Sequence, residues 1–178
     1  MNSAEIHFAL ARDECTKYHF AGVFASDALA DTVKEKDQPA CYVANTDPSS
    51  KPGRHWVAFY FPRSLQEPAE LFDSFGTSSG KRPPFTKFLR KYGHTRHNEN
   101  PMRLQGAIST ACGQYCIYYL TMRCRGFTMH EIMDGFSVAP EDWNWNDSVV
   151  VAFVNKHFRL STDCTDYPFL VQSALPHM

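Results

Sequence analysis

The chain has 178 residues, enough for one domain with a sizeable hydrophobic core. At 43% hydrophobic, 14% aromatic and a formal net charge of -1, it has a globular balance that makes no global demand for nucleic acid or a membrane as partner. No apolar run approaches the length of a membrane span, and the opening MNSAEIHFALARDECTK carries acids where a secretory leader would be basic and then apolar. An intracellular chain with reduced thiols is expected.

In chain order, ACYVANT (40–46) and RHWVAFYF (54–61) read as strands, separated by the turn chemistry of DPSSKPG. AELFDSFG (69–76) predicts a third short strand closed by Gly76, and TSSGKRPP a loop. Phe85, Phe88, Leu89 and Tyr92 then fall at i, i+3, i+4 and i+7, one apolar helix face that stops at Gly93. Ser109 or Thr110 is placed to cap the next helix, ACGQYCIYYLTMRCR, which runs to a natural stop at Gly126. TMHE (128–131) has capping-box form and opens a short helix. From about Asp147 a further helix carries Val150, Phe153, Val154, His157 and Phe158 on one face. The order predicts an α+β fold, with one domain over 1–160 and a C-terminal extension over 161–178 that reads as strand or loop and a loose tail.

The six cysteines are Cys15, Cys41, Cys112, Cys116, Cys124 and Cys164, too sparse for a secreted disulfide scaffold. Cys112 and Cys116 lie four apart on one predicted helix, but no second cluster with metal-binding spacing accompanies them. No metal is expected, and Cys116 and Cys124 read as small buried apolar groups. Cys112 differs from them because it stands at the helix start, where the dipole and free N–H groups lower a thiol's pKa. Gly113 behind it leaves room for a substrate. Position alone still favours a packing residue.

A nucleophilic Cys also needs a base, an orienter for the base, and donors for the oxyanion. Among the eight His, His55 heads a strand, where its ring can project beyond the sheet edge, whereas His157 reads as a core residue. Asp73, flanked by Leu71, Phe72 and Phe75, needs a partner if it faces inward, and His55 can serve; if it faces water it is an ordinary strand acid. Gln105, in the loop before Cys112, can add a side-chain N–H to the backbone N–H of Cys112.

His-Trp in a strand, Asp at the end of a following strand, then Gln, six residues, Cys and Gly form an ordered set. That set resembles the adenovirus endopeptidase family, cysteine proteases that share their catalytic arrangement with SUMO-specific proteases. The likeness covers roughly residues 11–160 and is strongest between 40 and 120, in ACYVANT, GRHWVAFYFPRS, ELFDSFG and LQGAISTACGQYC. It implies a papain-like α+β fold with a central mixed sheet flanked by helices. It implies Cys112 as nucleophile, His55 as general base and then acid, Asp73 as orienter and Gln105 in the oxyanion hole. Trp56 would wall the site, or pack as a core aromatic, and Gly113 would meet substrate. The resemblance further implies cleavage after Gly, at Gly-Gly-type sites in capsid or core precursors of a DNA virus or virus-like transposon. The setting would be the host nucleus or the virion, and the enzyme a monomer with no metal, organic cofactor or membrane contact.

Three further points bear on that reading. Ala111 stands where the SUMO-protease relatives carry Asp, which leans toward the viral branch. The family's activating peptide is disulfide-linked to a Cys upstream of the Gln; here the comparable place is near His94, so any activating peptide would not be linked there. DNA is the family's other activator, and GKRPPFTKFLRKYGHTRH holds Lys81, Arg82, Lys87, Arg90, Lys91 and Arg96 with no acid. These six are either a solvated face or a sequence-independent phosphate contact. Two alternatives stay open: an isopeptidase for a ubiquitin-like modifier, and a catalytically silent nucleic-acid-binding module of the same fold.

Overall fold

The computed structural model describes residues 1–32 and 38–158. A five-stranded mixed sheet lies at the centre: β1 (Phe20–Phe24), β2 (Ala40–Asn45), β3 (Trp56–Phe61), β4 (Ala69–Phe72) and β5 (His97–Glu99), side by side in chain order. β1 with β2 and β4 with β5 pair in parallel; β2, β3 and β4 pair antiparallel. Side chains alternate along each strand between two cores. Tyr42, Ala44, Val57, Phe59, Phe61 and Leu71 feed one, and Cys41, Val43, Ala58 and Phe72 the other. Because both faces are covered, the sequence of β2 and β3 reads as a continuous apolar run rather than an alternating one.

α2 (Pro83–Leu89) closes the first face. Phe85 and Phe88 meet Phe59 edge-on, with centroids 5.3 and 5.0 Å apart. The helix ends before Tyr92, which the spacing had placed on its face; Tyr92 instead sits in the following turn, edge-on to Phe61 at 5.0 Å. On the second face lies α3 (Cys112–Cys124), with α1 (Ser3–Arg12), α4 (Met129–Met133) and α5 (Trp143–Phe158) packed around it. Tyr119 of α3 stacks on Phe72 of β4 at 4.4 Å, nearly parallel. Close by, the buried Glu70 carboxylate accepts from Tyr119 Oη at 2.6 Å and Arg123 Nε at 2.7 Å. The Arg123 guanidinium also lies over the Tyr60 ring, so α3 is fastened to the sheet by charge as well as by apolar contact.

Several boundaries differ from the sequence reading. The cap of α3 is Ala111, with no side-chain capping bond, because the Ser109 hydroxyl sits two residues early and accepts from Ala111 N at 3.2 Å. α5 begins at Trp143 rather than near Asp147. β1 and β5 carry no clear strand signal in the sequence, the first because its Gly22 interrupts the apolar pattern and the second because it is three polar residues long. His157 is exposed on α5 rather than in the core, although Nδ1 pairs with Phe153 O at 2.8 Å. The capping box of α4, Thr128 with Glu131, forms as predicted. Cys41 and Cys124, 83 positions apart in sequence, bring their sulfurs to 3.4 Å as free thiols. The extension over 161–178 lies outside the described residues.

Arg123→Met removes the cation paired with the buried Glu70 while keeping much of the apolar stem, and breaking such a pair costs about 3 kcal/mol. Urea unfolding of the variant is expected to show that loss; a change below about 1 kcal/mol would mean Tyr119 alone satisfies the carboxylate.

Candidate active site

The antiparallel pairing of β3 with β4 dictates where the first two site residues meet. Ala58 lies opposite Phe72, so the residue just before β3 and the one just after β4 emerge at the same end of the sheet. Those residues are His55 and Asp73. His55 Nε2 donates to Asp73 Oδ1 at 2.7 Å, and both groups are nearly sealed from water. The Phe75 ring stacks on the imidazole at 4.6 Å and holds it flat. With Nε2 occupied, Nδ1 is left buried without a hydrogen-bond partner.

The helix α3 brings the third group. Cys112 is its first residue, where unsatisfied N–H groups concentrate positive potential. Burial pushes the thiol pKa up, but the His55 ring and the backbone N–H groups of Trp56 and Gly113 outweigh it, and the pKa is lowered. For His55 burial acts downward, yet the Asp73 carboxylate and then Cys112 hold the proton on, raising the pKa to about 9. The two shifts are opposed: the thiol is drawn toward its ionised form and the imidazole toward its protonated one. One turn further in, burial drives the thiol of Cys116 the other way, well up, which makes it inert.

Asp73 is held more firmly than a lone orienter needs. Its Oδ1 also accepts from Phe75 N at 2.9 Å, and Oδ2 accepts from Arg82 Nη1 at 2.7 Å. Asn100 clamps the backbone from both sides, Oδ1 accepting from Asp73 N and Nδ2 donating to Asp73 O, each at 2.7 Å. Burial raises the carboxyl pKa, but the bonds from His55, Arg82 and Phe75 N outweigh it and keep Asp73 ionised. Arg82 is thus committed to the site, although its place in a basic run suggested a phosphate contact. Asn100 left no signal in the sequence at all.

Gln105 arrives through the neighbouring residue. Ser74 O accepts from both Leu104 N and Gln105 N, at 2.9 and 3.2 Å, and Ser74 Oγ donates to Gln105 Oε1 at 2.7 Å. Gly76, at φ 64°, lets the turn after Asp73 lie against the Met102 backbone, where a Cβ would come within 2.8 Å. The Gln105 amide nitrogen donates to Ser109 O at 2.9 Å and lies 3.3 Å from Ser109 Oγ. One N–H is therefore firmly placed and the other loosely so. Arg103 Nε donates to Gln105 O at 2.8 Å while its guanidinium is sandwiched between Phe75 and Trp143.

Trp56 and Gly113 border the thiol, as their neighbours in sequence require, and Met1 touches both. The Trp56 Nε1–H donates to Met1 O at 3.2 Å, and a Cβ on Gly113 would come 2.9 Å from Met1 Sδ. The basic run is divided. Besides Arg82, Lys91 Nζ donates to Ala30 O and Thr32 O, and Arg96 Nη2 to Gln66 O at 2.7 Å, and these two remain exposed together with Lys81, Lys87 and Arg90. His94 is buried with Nδ1 against Glu67 O, so that position faces inward. Among the described residues no His, Cys, Asp and Glu cluster is arranged to hold a metal, and no helix is long and apolar enough to cross a membrane.

No family model matches the chain, and no curated protein does. Solved structures match it. The ASFV pS273R protease, as the selenomethionine protein, aligns with a TM-score of 0.58 and 18% identity over 83% of this chain and 66% of that one. A second structure of that protease gives 0.56 and 19% over 82% and 65%. The chain therefore spans just under two thirds of that protease's length. The central domain of the uncharacterized Lpg1148 protein from Legionella pneumophila aligns at 0.50 with 13% identity, over 88% of this chain and 97% of the domain. The mixed α+β sheet flanked by helices is the fold of the ASFV protease.

The opposed pKa shifts separate two pH responses. Alkylation of Cys112 is expected to outpace that of Cys15, Cys41, Cys116 and Cys124 at neutral pH and to stay fast above pH 9, where the thiolate persists. Any reaction that needs the His55 proton is instead expected to fade as the pH rises through about 9. Site-resolved mass spectrometry of the alkylated protein, with His55→Ala as control, reads the first; equal labelling of all five thiols would contradict the pair.

Proposed function

We propose that the chain is a cysteine endopeptidase working through Cys112, His55 and Asp73. The observation that carries this reading is the division of the His55 ring: Nε2 is fixed on Asp73 at 2.7 Å while Nδ1 has no hydrogen bond, beside a thiol of lowered pKa at a helix N-terminus. That arrangement suits nucleophilic acyl transfer. The thiolate attacks a peptide carbonyl carbon; the carbonyl oxygen takes up the charge against the Cys112 N–H and the Gln105 amide. As the tetrahedral adduct collapses, His55 gives its Nδ1 proton to the leaving amine, and a thioester remains. Now neutral, Nδ1 takes a proton from the incoming water, whose oxygen attacks the thioester and releases the acid. Thiolate and imidazolium are restored. For the oxyanion role the Gln105 amide gives up its loose contact with Ser109 Oγ, keeping the bond to Ser109 O.

The resemblance of the motifs to adenovirus-type endopeptidases supports substrates cut at Gly-Gly-type sites, in capsid or core precursors of a virus or virus-like element. Its likeness to a viral protease fold is consistent with that class. A panel of Gly-Gly peptides and a ubiquitin-like modifier conjugate tests it. Peptide cleavage that vanishes in Cys112→Ala supports the endopeptidase; release of the modifier with the peptides untouched would replace it with an isopeptidase. Gln105→Ala is expected to lower kcat by roughly 10²–10³ with KM little changed, and equal loss in both would count against an oxyanion role.

A further inference from the structure

We propose that Cys41 and Cys124 form a disulfide-exchange site: on meeting a small disulfide of the glutathione type they bond to one another and clamp the end of α3 to β2. The inference stands apart from the proteolytic reading, since it uses none of the residues assigned to that chemistry.

Three observations carry it. First, the fold alone brings the two sulfurs together. Cys41 lies in β2, opposite Tyr60 of β3, and Cys124 is the last residue of α3. They are 83 positions apart in sequence, yet both are free thiols whose sulfurs touch at 3.4 Å.

Second, the two differ in access. Cys41 is wholly buried, whereas Cys124 is half-buried at the helix end, so a dissolved reagent meets Cys124 first. The Cys124 sulfur and burial push the Cys41 thiol pKa well up, against the Arg123 cation, which acts downward. Cys41 therefore does not start the exchange but finishes it, contact with its one sulfur partner replacing the acidity it lacks. The Cys124 sulfur gives up its proton and bonds to one sulfur of the small disulfide, whose other half takes a proton and leaves as a thiol. The Cys41 sulfur then bonds to the Cys124 sulfur, and the bond to the small group breaks. That group departs as a second thiol, carrying the proton from Cys41. The cysteine pair is thereby oxidised and the small disulfide reduced to its two thiols.

Third, the link would form where the chain is already fastened. Arg123, beside Cys124, donates to the buried Glu70 at 2.7 Å and lies over Tyr60, the residue across the ladder from Cys41. Charge thus holds the helix end and the strand in register before any bond joins them. The closed segment, 41–124, contains His55, Asp73 and Cys112, so the clamp ties the sheet to the helix that delivers the reactive thiol.

The test incubates the folded full chain, and Cys112→Ala to remove the competing activated thiol, with oxidised glutathione. Remaining thiols are blocked, and the chain is digested without reduction for mass spectrometry. A Cys41–Cys124 linked peptide free of glutathione is expected in both, lost on adding dithiothreitol. The linked chain should unfold in urea at a midpoint higher by about 1 M or more, as closing a long loop predicts, and reductant should reverse the shift. In Cys41→Ala glutathione should stay on Cys124. In Cys124→Ala the buried Cys41 should stay unmodified while the chain is folded, and neither variant should gain in midpoint. Glutathione retained on Cys124 in the full chain, or a link seen only at urea concentrations that unfold it, would overturn the exchange site. A link that leaves the midpoint unchanged would overturn the clamp.

Discussion

A buried carboxylate needs compensation on every lone pair it exposes to the interior, and much of this site follows from meeting that need at Asp73. One oxygen takes the imidazole and a backbone N–H, the other a guanidinium, while Asn100 pins the peptide groups on both sides. The consequence for chemistry is that the His55 ring can turn only one nitrogen toward the thiol. Had Asp73 been left with an open lone pair, water or a second donor would compete for Nε2 and the ring would lose its fixed direction.

The sheet and α3 supply the rest of the geometry from opposite sides. Antiparallel pairing of β3 and β4 sets the His–Asp distance without either residue belonging to the regular ladder. α3 delivers the sulfur from its first turn, while its last turn, through Arg123, Glu70 and Tyr119, is anchored to the middle of the same sheet. The helix thus has its first residue at the His55–Asp73 pair and its last turn fixed by a satisfied buried charge. A rigid element of this kind places a reacting atom better than a loop does.

Much of this was legible before any coordinates. Strands 40–46 and 54–61, the helix after Thr110 and the capping box at Thr128 carry local signals: aromatic and β-branched runs, turn residues, and paired capping side chains. His55, Asp73 and Cys112 each sit at the end of an element, where sequence marks the boundary, while Gln105 lies in the loop before α3 and was legible from its spacing to Cys112 and from the resemblance. Arg82 and Asn100 were not. Both act across 9 and 27 positions on one carboxylate, and neither has a local pattern; Arg82 was further disguised by the basic run around it. The meeting of Cys41 with Cys124 likewise depends on how α3 crosses the sheet, which no spacing encodes.

Ser74 gives the site a property that none of its other groups has alone. It is bonded in the chain to Asp73 and through two backbone bonds and its hydroxyl to Leu104 and Gln105. The segment that carries Asp73 and the segment that carries Gln105 are therefore indexed to one another by a single residue. Neither segment can be shifted in isolation. Among relatives that share this layout, positions 74 and 105 should covary: where the Gln is exchanged for another donor, the Ser that grips its oxygen loses its reason to be there and is free to change with it.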